Sequence, residues 1–162
     1  MTSAATVAEF AQRLDRPDHE ARLGAVSIMD FQARRKSTSD DRRRELYELY
    51  VRRHDRIDNL DLVDRAAPHV VGGHLIDKPR DQLYAFARSA NLWERRTAIA
   101  ATYYFIRHDD LDDTFAIGDI LAHDPEDLVQ KAVGGVCVST TSSFGRPAST
   151  YARPRVSLRR AR

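Results

Sequence analysis

Apolar residues recur at helical spacing along most of the chain. In the segment 19–36, Ala21, Ala25, Ile28, Met29 and Ala33 lie on one side of a helical wheel. Apolar positions that recur every three to four residues indicate an amphipathic helix. The same pattern predicts helices over 7–14, 19–36, 42–53, about 60–71, 81–90, 93–108, 113–122 and 125–136.

Polar residues that favour helix starts precede several of these segments. Asp18, the Ser37-Thr38-Ser39 turn and Asp58 or Asn59 are predicted to supply N-caps. Asp124-Pro125 is a strong start signal, because proline suits the first turn of a helix. Pro68 falls inside a predicted helix and is expected to kink it, since proline lacks the amide hydrogen.

Short links between helices of about 10–18 residues favour an array of helical hairpins, each packing its apolar side against the next. Few stretches show the alternation typical of strands. The sequence therefore predicts an all-α fold, a HEAT-like helical-repeat α-solenoid. An irregular helical bundle is the alternative, because no sharp repeat period is visible.

Charge and composition change at the C-terminal end. All 24 acidic residues lie at or before Asp127, together with 19 Lys and Arg, so that part carries a net charge of −5. From position 128 onward there are seven basic residues and no acidic ones. We expect a helical-repeat domain over 1–136 and a basic, disordered tail over 137–162, because the tail offers little apolar surface to bury.

Composition narrows the class of protein. No apolar run approaches the roughly 18 residues that a membrane span needs, and no secretory signal is visible at the N-terminus. Cys137 is the single cysteine, which excludes an internal disulfide. His69 and His74 are predicted to be surface residues and not metal ligands. We expect a cytoplasmic, monomeric protein that needs no metal or organic cofactor.

Three motifs resemble the signature of the bacterial DNA alkylation repair family of HEAT-like alkylpurine DNA glycosylases. They are residues 59–64 (NLDLVD), 92–99 (LWERRTAI) and 128–134 (LVQKAVG). The resemblance covers about 8–134, and full members continue on both sides, so it indicates a truncated member with a divergent C-terminal tail. It implies hydrolysis of the N-glycosidic bond of cationic N3- or N7-alkylpurines in duplex DNA, without base flipping.

The resemblance assigns a role to Asp64 and Arg96. Asp64 matches the catalytic carboxylate that ends the family's Trp-Asp-x-Val-Asp motif, and Arg96 matches its DNA-contacting arginine. Spacing alone leaves other interpretations open. Asp61 would then pair with Arg65 and Asp64 with an arginine from a neighbouring helix, while Arg96 would form a salt bridge with Asp64 or lie on a solvated face.

Three further residues are candidate DNA contacts. Lys131 matches the family's Gln-Lys-Ala pattern, although an exposed helix lysine would look the same. Arg95 is expected at the surface or on the DNA backbone. Leu60 stands where the family has a tryptophan and keeps an apolar wall without a π-face. Gly135 stands where the family has a second tryptophan and offers no side chain in its place.

These departures leave two rival functions beside the glycosylase. The first is a non-catalytic DNA-binding module, which would bind DNA in a strongly salt-dependent manner without releasing bases. The second is a protein-interaction solenoid, in which the acidic body and basic tail recruit other proteins.

Overall fold

The described part of the chain is built from helices, with no strand. The structure is a computed structural model; it describes residues 6–144, with side chains up to residue 140. A 3-10 turn covers His54–Arg56, and a π-helical segment covers Ala67–Gly72. The helices are α1 (Val7–Leu14), α2 (His19–Arg34), α3 (Asp40–Arg52), α4 (Leu60–Ala66), α5 (Gly73–Leu75), α6 (Asp81–Ala87), α7 (Leu92–Ile106), α8 (Asp112–Leu121) and α9 (Asp127–Phe144).

The predicted N-caps are confirmed at three helix starts. Asp18 accepts a hydrogen bond from the amide of Ala21 at 2.9 Å, and Ser39 accepts one from Arg42 at 3.2 Å. Asn59, not Asp58, caps α4, with 3.0 Å from its side-chain oxygen to the amide of Asp61. These bonds satisfy amide groups that have no partner within the first turn of a helix.

The helices pack as successive pairs. α1 packs on α2, α3 on the continuation of α4 through the π-helical segment and α5, α6 on α7, and α8 on α9. The second members of consecutive pairs also contact one another, α2 with α4, α4 with α7, and α7 with α9. The all-α prediction is confirmed, and this order of contacts is compatible with a helical-repeat solenoid. None of the described helices is both long and apolar enough to cross a membrane.

Pro68 is accommodated by a widened turn. The amide of Gly73 bonds to the carbonyl of Pro68, five residues earlier, which is the π-helical spacing. Because proline has no amide hydrogen, the ordinary ladder is interrupted there, and an inserted residue is a recognised way to absorb the gap. The disturbance predicted at Pro68 therefore takes the form of a π-helical segment.

This segment lies directly against α7. A Cβ added to Gly72 would overlap the carbonyl oxygen of Ala101 and crowd the side chain of Tyr104. Val70 and Val71, which precede Gly72, are buried in the core. The absence of a side chain at position 72 allows the two backbones to approach closely, and this approach sets the distance between α4 and α7.

The last helix is longer than the sequence predicts. α9 begins at Asp127 and continues through Gly134 and Gly135 to Phe144, across 137–144, where a disordered tail was expected. Val129, Ala132, Val136 and Thr140 share one buried stripe at helical spacing. Burial of that stripe outweighs the weak helix propensity of glycine and β-branched residues. The remainder of the predicted tail, 145–162, lies outside the described residues.

Candidate functional site

Three helices bring the main predicted residues to one groove. Asp64 on α4, Arg96 on α7 and Lys131 on α9 line an opening of about 310 Å³. Pro68, Ala100, Tyr103 and Ala132 complete the lining. Asp64 and Arg96 are each the fifth residue of a helix that an asparagine side chain caps. The two caps thus fix where each charged side chain leaves its helix.

A bidentate salt bridge joins Asp64 and Arg96. The Nε of Arg96 donates to Oδ1 of Asp64 at 2.9 Å, and its Nη2 donates to Oδ2 at 2.8 Å. The Nη1 donates to the main-chain carbonyl of Leu128 at the start of α9. The interpretation of Arg96 as a partner of Asp64 is therefore confirmed, and a contact between Arg96 and a phosphate stays a prediction.

The two partners differ in exposure. The side chain of Arg96 is 8% exposed and that of Asp64 is 47% exposed. A buried guanidinium must be paired, and a parallel pair of charge-assisted hydrogen bonds restricts the carboxylate in position and angle. The pair consequently presents one oriented, negatively charged edge to the groove, with acceptor capacity left on both oxygens.

Lys131 lies at the edge of this groove. Its side chain is 68% exposed, and its ammonium lies 2.6 Å from Asp127, one turn earlier on α9. Exposed pairs of this kind contribute at most about 1 kcal/mol to stability. The ammonium can thus exchange Asp127 for another anion at little cost.

Arg95 does not line the groove and instead bonds to the links before α7 and α9, an arrangement that we call the Arg95 clamp. It holds Asp124 through two hydrogen bonds of 2.6 and 3.1 Å, and donates to the carbonyls of Ser89 and Ala90. Its side chain is 12% exposed. Arg95 thus ties the link before α7 to the link before α9, and its predicted contact with DNA stays a prediction.

The first turn of α4 differs from one interpretation of the sequence. Asp61 lies 3.7 Å from His19, and the nearest carboxylate to Arg65 is Asp30, also at 3.7 Å. The predicted pair of Asp61 with Arg65 is therefore wrong, because packing of α2 against α4 supplies each with another partner. Leu60 opens this turn, half-buried, one turn before Asp64.

Tyr103 is a groove residue that the sequence reasoning missed. It lies two helical turns after Arg96 on α7, and this seven-residue spacing was the available signal. Burial raises the pKa of its hydroxyl, and the negative charge of Asp64 adds to the shift. A Cβ added to Gly135 would lie 2.7 Å from this hydroxyl, so Tyr103 covers the backbone where a larger residue was expected.

The two histidines predicted at the surface are not there. His74 is 8% exposed and stacks on Tyr47 with 4.4 Å between ring centroids. The side chain of His69 is 15% exposed and lies 3.2 Å from the buried Asp30. Both lie beyond Pro68, where the π-helical segment rotates the following residues relative to an ideal helix.

Comparison with models of known protein families gives a match over most of the chain. The family model described as DNA alkylation repair enzyme matches residues 2–137, which is most of the chain. No curated protein and no solved structure matches the chain. The matched segment contains Asp64, Arg96 and Lys131, the three charged residues that meet in the groove.

Proposed function

The chain belongs to the DNA alkylation repair enzyme family, and from this we propose that it is a DNA glycosylase. Its substrate would be duplex DNA that carries cationic N3- or N7-alkylpurines, and the reaction would be hydrolysis of the bond between base and sugar. The observation that carries the proposal is a half-exposed carboxylate, Asp64, held by a buried arginine in a groove shared by three helices.

The chemistry of the reaction calls for a fixed negative charge. Alkylation at N3 or N7 makes a purine cationic and therefore a good leaving group. As the base departs, positive charge develops on the deoxyribose, in an oxocarbenium-like transition state. A preorganised carboxylate beside that sugar stabilises the charge and can orient the attacking water. Asp64 has the fixed orientation that this role requires, because Arg96 holds both of its oxygens.

The exposure of Asp64 supports attack from the backbone side of the duplex. Enzymes that flip a base enclose it in a pocket and there read its edges. Here the carboxylate is 47% exposed at a groove between helices and is not enclosed in a pocket. In the proposed complex the sugar would meet it there while the base stays in the duplex. We therefore propose that the lesion stays stacked during hydrolysis.

The other groove residues receive positioning roles. Arg96 orients Asp64 and, with the N–H groups that remain, would contact a phosphate next to the lesion. Lys131 would release Asp127 and bind another phosphate, since their exposed pair is weak. Leu60, one turn before Asp64, would give the sugar an apolar neighbour.

The assignment of Asp64 is tested by Asp64→Asn. We expect release of 7-methylguanine from alkylated duplex DNA to fall at least about 100-fold, since a charge aimed at the transition state is lost. Affinity for undamaged duplex should stay equal or rise, because a negative charge leaves the DNA-facing groove. The measurements are single-turnover base release and fluorescence anisotropy, with circular dichroism to confirm folding.

Asp61→Asn is the matched control. Asp61 lies on the same helix, is 62% exposed and lies 3.7 Å from His19, so this variant should release bases at the wild-type rate. Equal base release by Asp64→Asn and wild type would contradict the role of Asp64.

A non-catalytic DNA-binding module is the second candidate function. It is favoured by Leu60 and by Gly135, two positions without the ring that the family resemblance leads one to expect. Loss of a cation–π partner costs about 0.5–2 kcal/mol, which is up to roughly 30-fold in rate. Salt-dependent binding of duplex DNA by the wild-type chain without any base release would support this candidate.

A further inference from the structure

A second cavity, of about 430 Å³, lies next to the Asp64 groove. Pro68 and Tyr103 line the groove, whereas His69 and Tyr104, the residues that directly follow them, line this cavity. The two openings therefore lie on either side of the contact between the π-helical segment and α7. We call this opening the basic cavity. Its charged lining consists of Arg34, Lys36 and Arg43.

A buried carboxylate fixes one wall of the basic cavity. Asp30 on α2 is 2% exposed and lies 2.9 Å from Nε of Arg34, 3.2 Å from Nδ1 of His69 and 3.7 Å from Nε of Arg65. Burial alone would raise the pKa of Asp30, but His69 and Arg34 hold it below the usual value. Asp30 thus orients two lining side chains and cannot itself meet a ligand.

A second cation is held by main-chain oxygens. Arg43 on α3 donates to the carbonyls of Ala33 and Arg35, at 3.2 and 2.9 Å, where α2 ends. Lys36 lies in the turn between these helices, is exposed, and has no ion-pair partner within residues 6–144. The lining therefore combines oriented guanidinium groups with one flexible ammonium.

The charges around the basic cavity do not cancel. Four cationic side chains, those of Arg34, Lys36, Arg43 and Arg65, are accompanied by the carboxylates of Asp30 and Asp40. Asp40 is 96% exposed and lies 3.4 Å from Arg43, so solvent screens it strongly. Two positive charges remain, in an otherwise acidic protein body, and they favour an anionic ligand.

We propose that the basic cavity binds a phosphodiester of the DNA backbone, a few nucleotides from the sugar that meets Asp64. The proposal rests on the proposed function only in placing a duplex on the adjoining groove. Guanidinium forks and a mobile lysine are the groups that bind backbone phosphates, and such contacts set the register of a duplex without reading its sequence. The cavity would thereby fix which nucleotide stands beside the carboxylate.

Lys36→Gln tests this binding site, because Lys36 is exposed and makes no ion pair within the described residues. Affinity for an undamaged duplex is measured by fluorescence anisotropy across a salt series. We expect roughly three- to sixfold weaker binding at about 0.1 M salt, and a salt slope smaller by about 0.9, the value of one phosphate contact. Arg52→Gln, at the exposed end of α3 and outside both openings, removes the same charge and should change neither quantity.

The outcomes separate this inference from the glycosylase proposal. Equal affinities and salt slopes for Lys36→Gln and Arg52→Gln would overturn it. The Tm of both proteins is also measured with inorganic phosphate at constant ionic strength. If phosphate raises the Tm of the wild type but not that of Lys36→Gln, while the two proteins bind duplex DNA equally well, the DNA assignment is overturned and the ligand is a small anion. Weaker duplex binding by Lys36→Gln would support the phosphate site whether or not the wild type releases bases. Absence of base release by the wild type would refute only the glycosylase proposal.

Discussion

Arg96 is the residue on which the geometry of the groove depends. It has five N–H groups, and the structure directs two to Asp64 and one to the carbonyl of Leu128. A lysine at this position would place a single point charge where a planar fork is needed. The orientation of the carboxylate therefore depends on the guanidinium shape and not on positive charge alone.

Arg96→Lys should consequently lower both stability and base release. We expect a loss of about 1–3 kcal/mol in the free energy of unfolding, because buried hydrogen bonds are left unmade. Base release should fall at least about tenfold as Asp64 loses its fixed orientation. Chemical denaturation measures the first quantity and single-turnover kinetics the second.

Arg80→Lys is the control for Arg96→Lys. Arg80 is also largely buried and bonds to Asp110 and Asp113, and its Cζ lies 3.9 Å from the centroid of the Phe105 ring. It does not line the groove. This variant should lose stability but keep base release at temperatures where it is folded. Similar kinetic losses in both variants would show that Arg96 acts only through stability.

At this scale the sequence identified the groove residues and offered the pair of Asp64 with Arg96, but it did not indicate the other partners of Arg96 and Arg95. The family motifs pointed to Asp64, Arg96 and Lys131, and all three line one groove. The burial of Arg96 and the Arg95 clamp depend on carbonyls and carboxylates about 30 residues distant or in irregular links. Spacing within one helix carries no information about such contacts.

At the level of single elements, alanine substitutions at two glycines should change the stability of the protein in opposite directions. Gly72→Ala should destabilise the protein by about 1–3 kcal/mol or more, since the added methyl group would overlap the Ala101 carbonyl. Gly118→Ala should stabilise it by about 0.5–1 kcal/mol, because Gly118 is within α8 and an added Cβ meets nothing within 4 Å. Thermal and chemical unfolding of both variants measure the difference.

The opposite signs make this pair a sharp test of the π-helical segment. Equal destabilisation by both alanines would contradict the close approach of that segment to α7. Base release should also fall in Gly72→Ala, because the contact positions Asp64 and Arg96 relative to each other.

Helix positions were predictable, whereas their irregularities were not. Asp18, Ser39 and Asn59 cap helices as expected, since capping is a local interaction. The form of the disturbance at Pro68 and the continuation of α9 past Gly135 depend on packing against α7 and α8, which no local pattern encodes.

For the whole molecule, stability should depend on pH through two buried histidines. Burial lowers the pKa of His54, which bonds to Thr97 at 2.9 Å, and that of His74, which stacks on Tyr47. The unfolded chain binds protons near pH 6.5 whereas the folded chain does not, so stability falls as the pH drops below that value. We expect a loss of about 1–3 kcal/mol between about pH 7.5 and pH 5.

Urea denaturation across this pH range measures the effect. The shifted aspartates, Asp15, Asp18, Asp30, Asp77 and Asp124, have lowered pKa values and titrate below the range. A variant with His54→Gln and His74→Gln should therefore show a nearly flat profile. A wild-type slope in that variant would mean that other groups are responsible.

The architecture follows from the sequence more directly than the surface does. Apolar stripes and short links predicted an all-α chain of helical pairs, and the helices pack in that order. The basic cavity could not be predicted, because its lining comes from five separate helical elements and a turn.

The contact between Arg96 and the Leu128 carbonyl has a consequence for sequence drift. The acceptor is a main-chain atom, so almost any residue can occupy position 128 without removing it. The amino-acid sequence along the outer side of α9 can therefore change while Arg96 still holds the carboxylate of Asp64 in its orientation. Mutations that slide or break this helix, such as a proline in its first turns, would instead misalign the groove even though no groove side chain had changed.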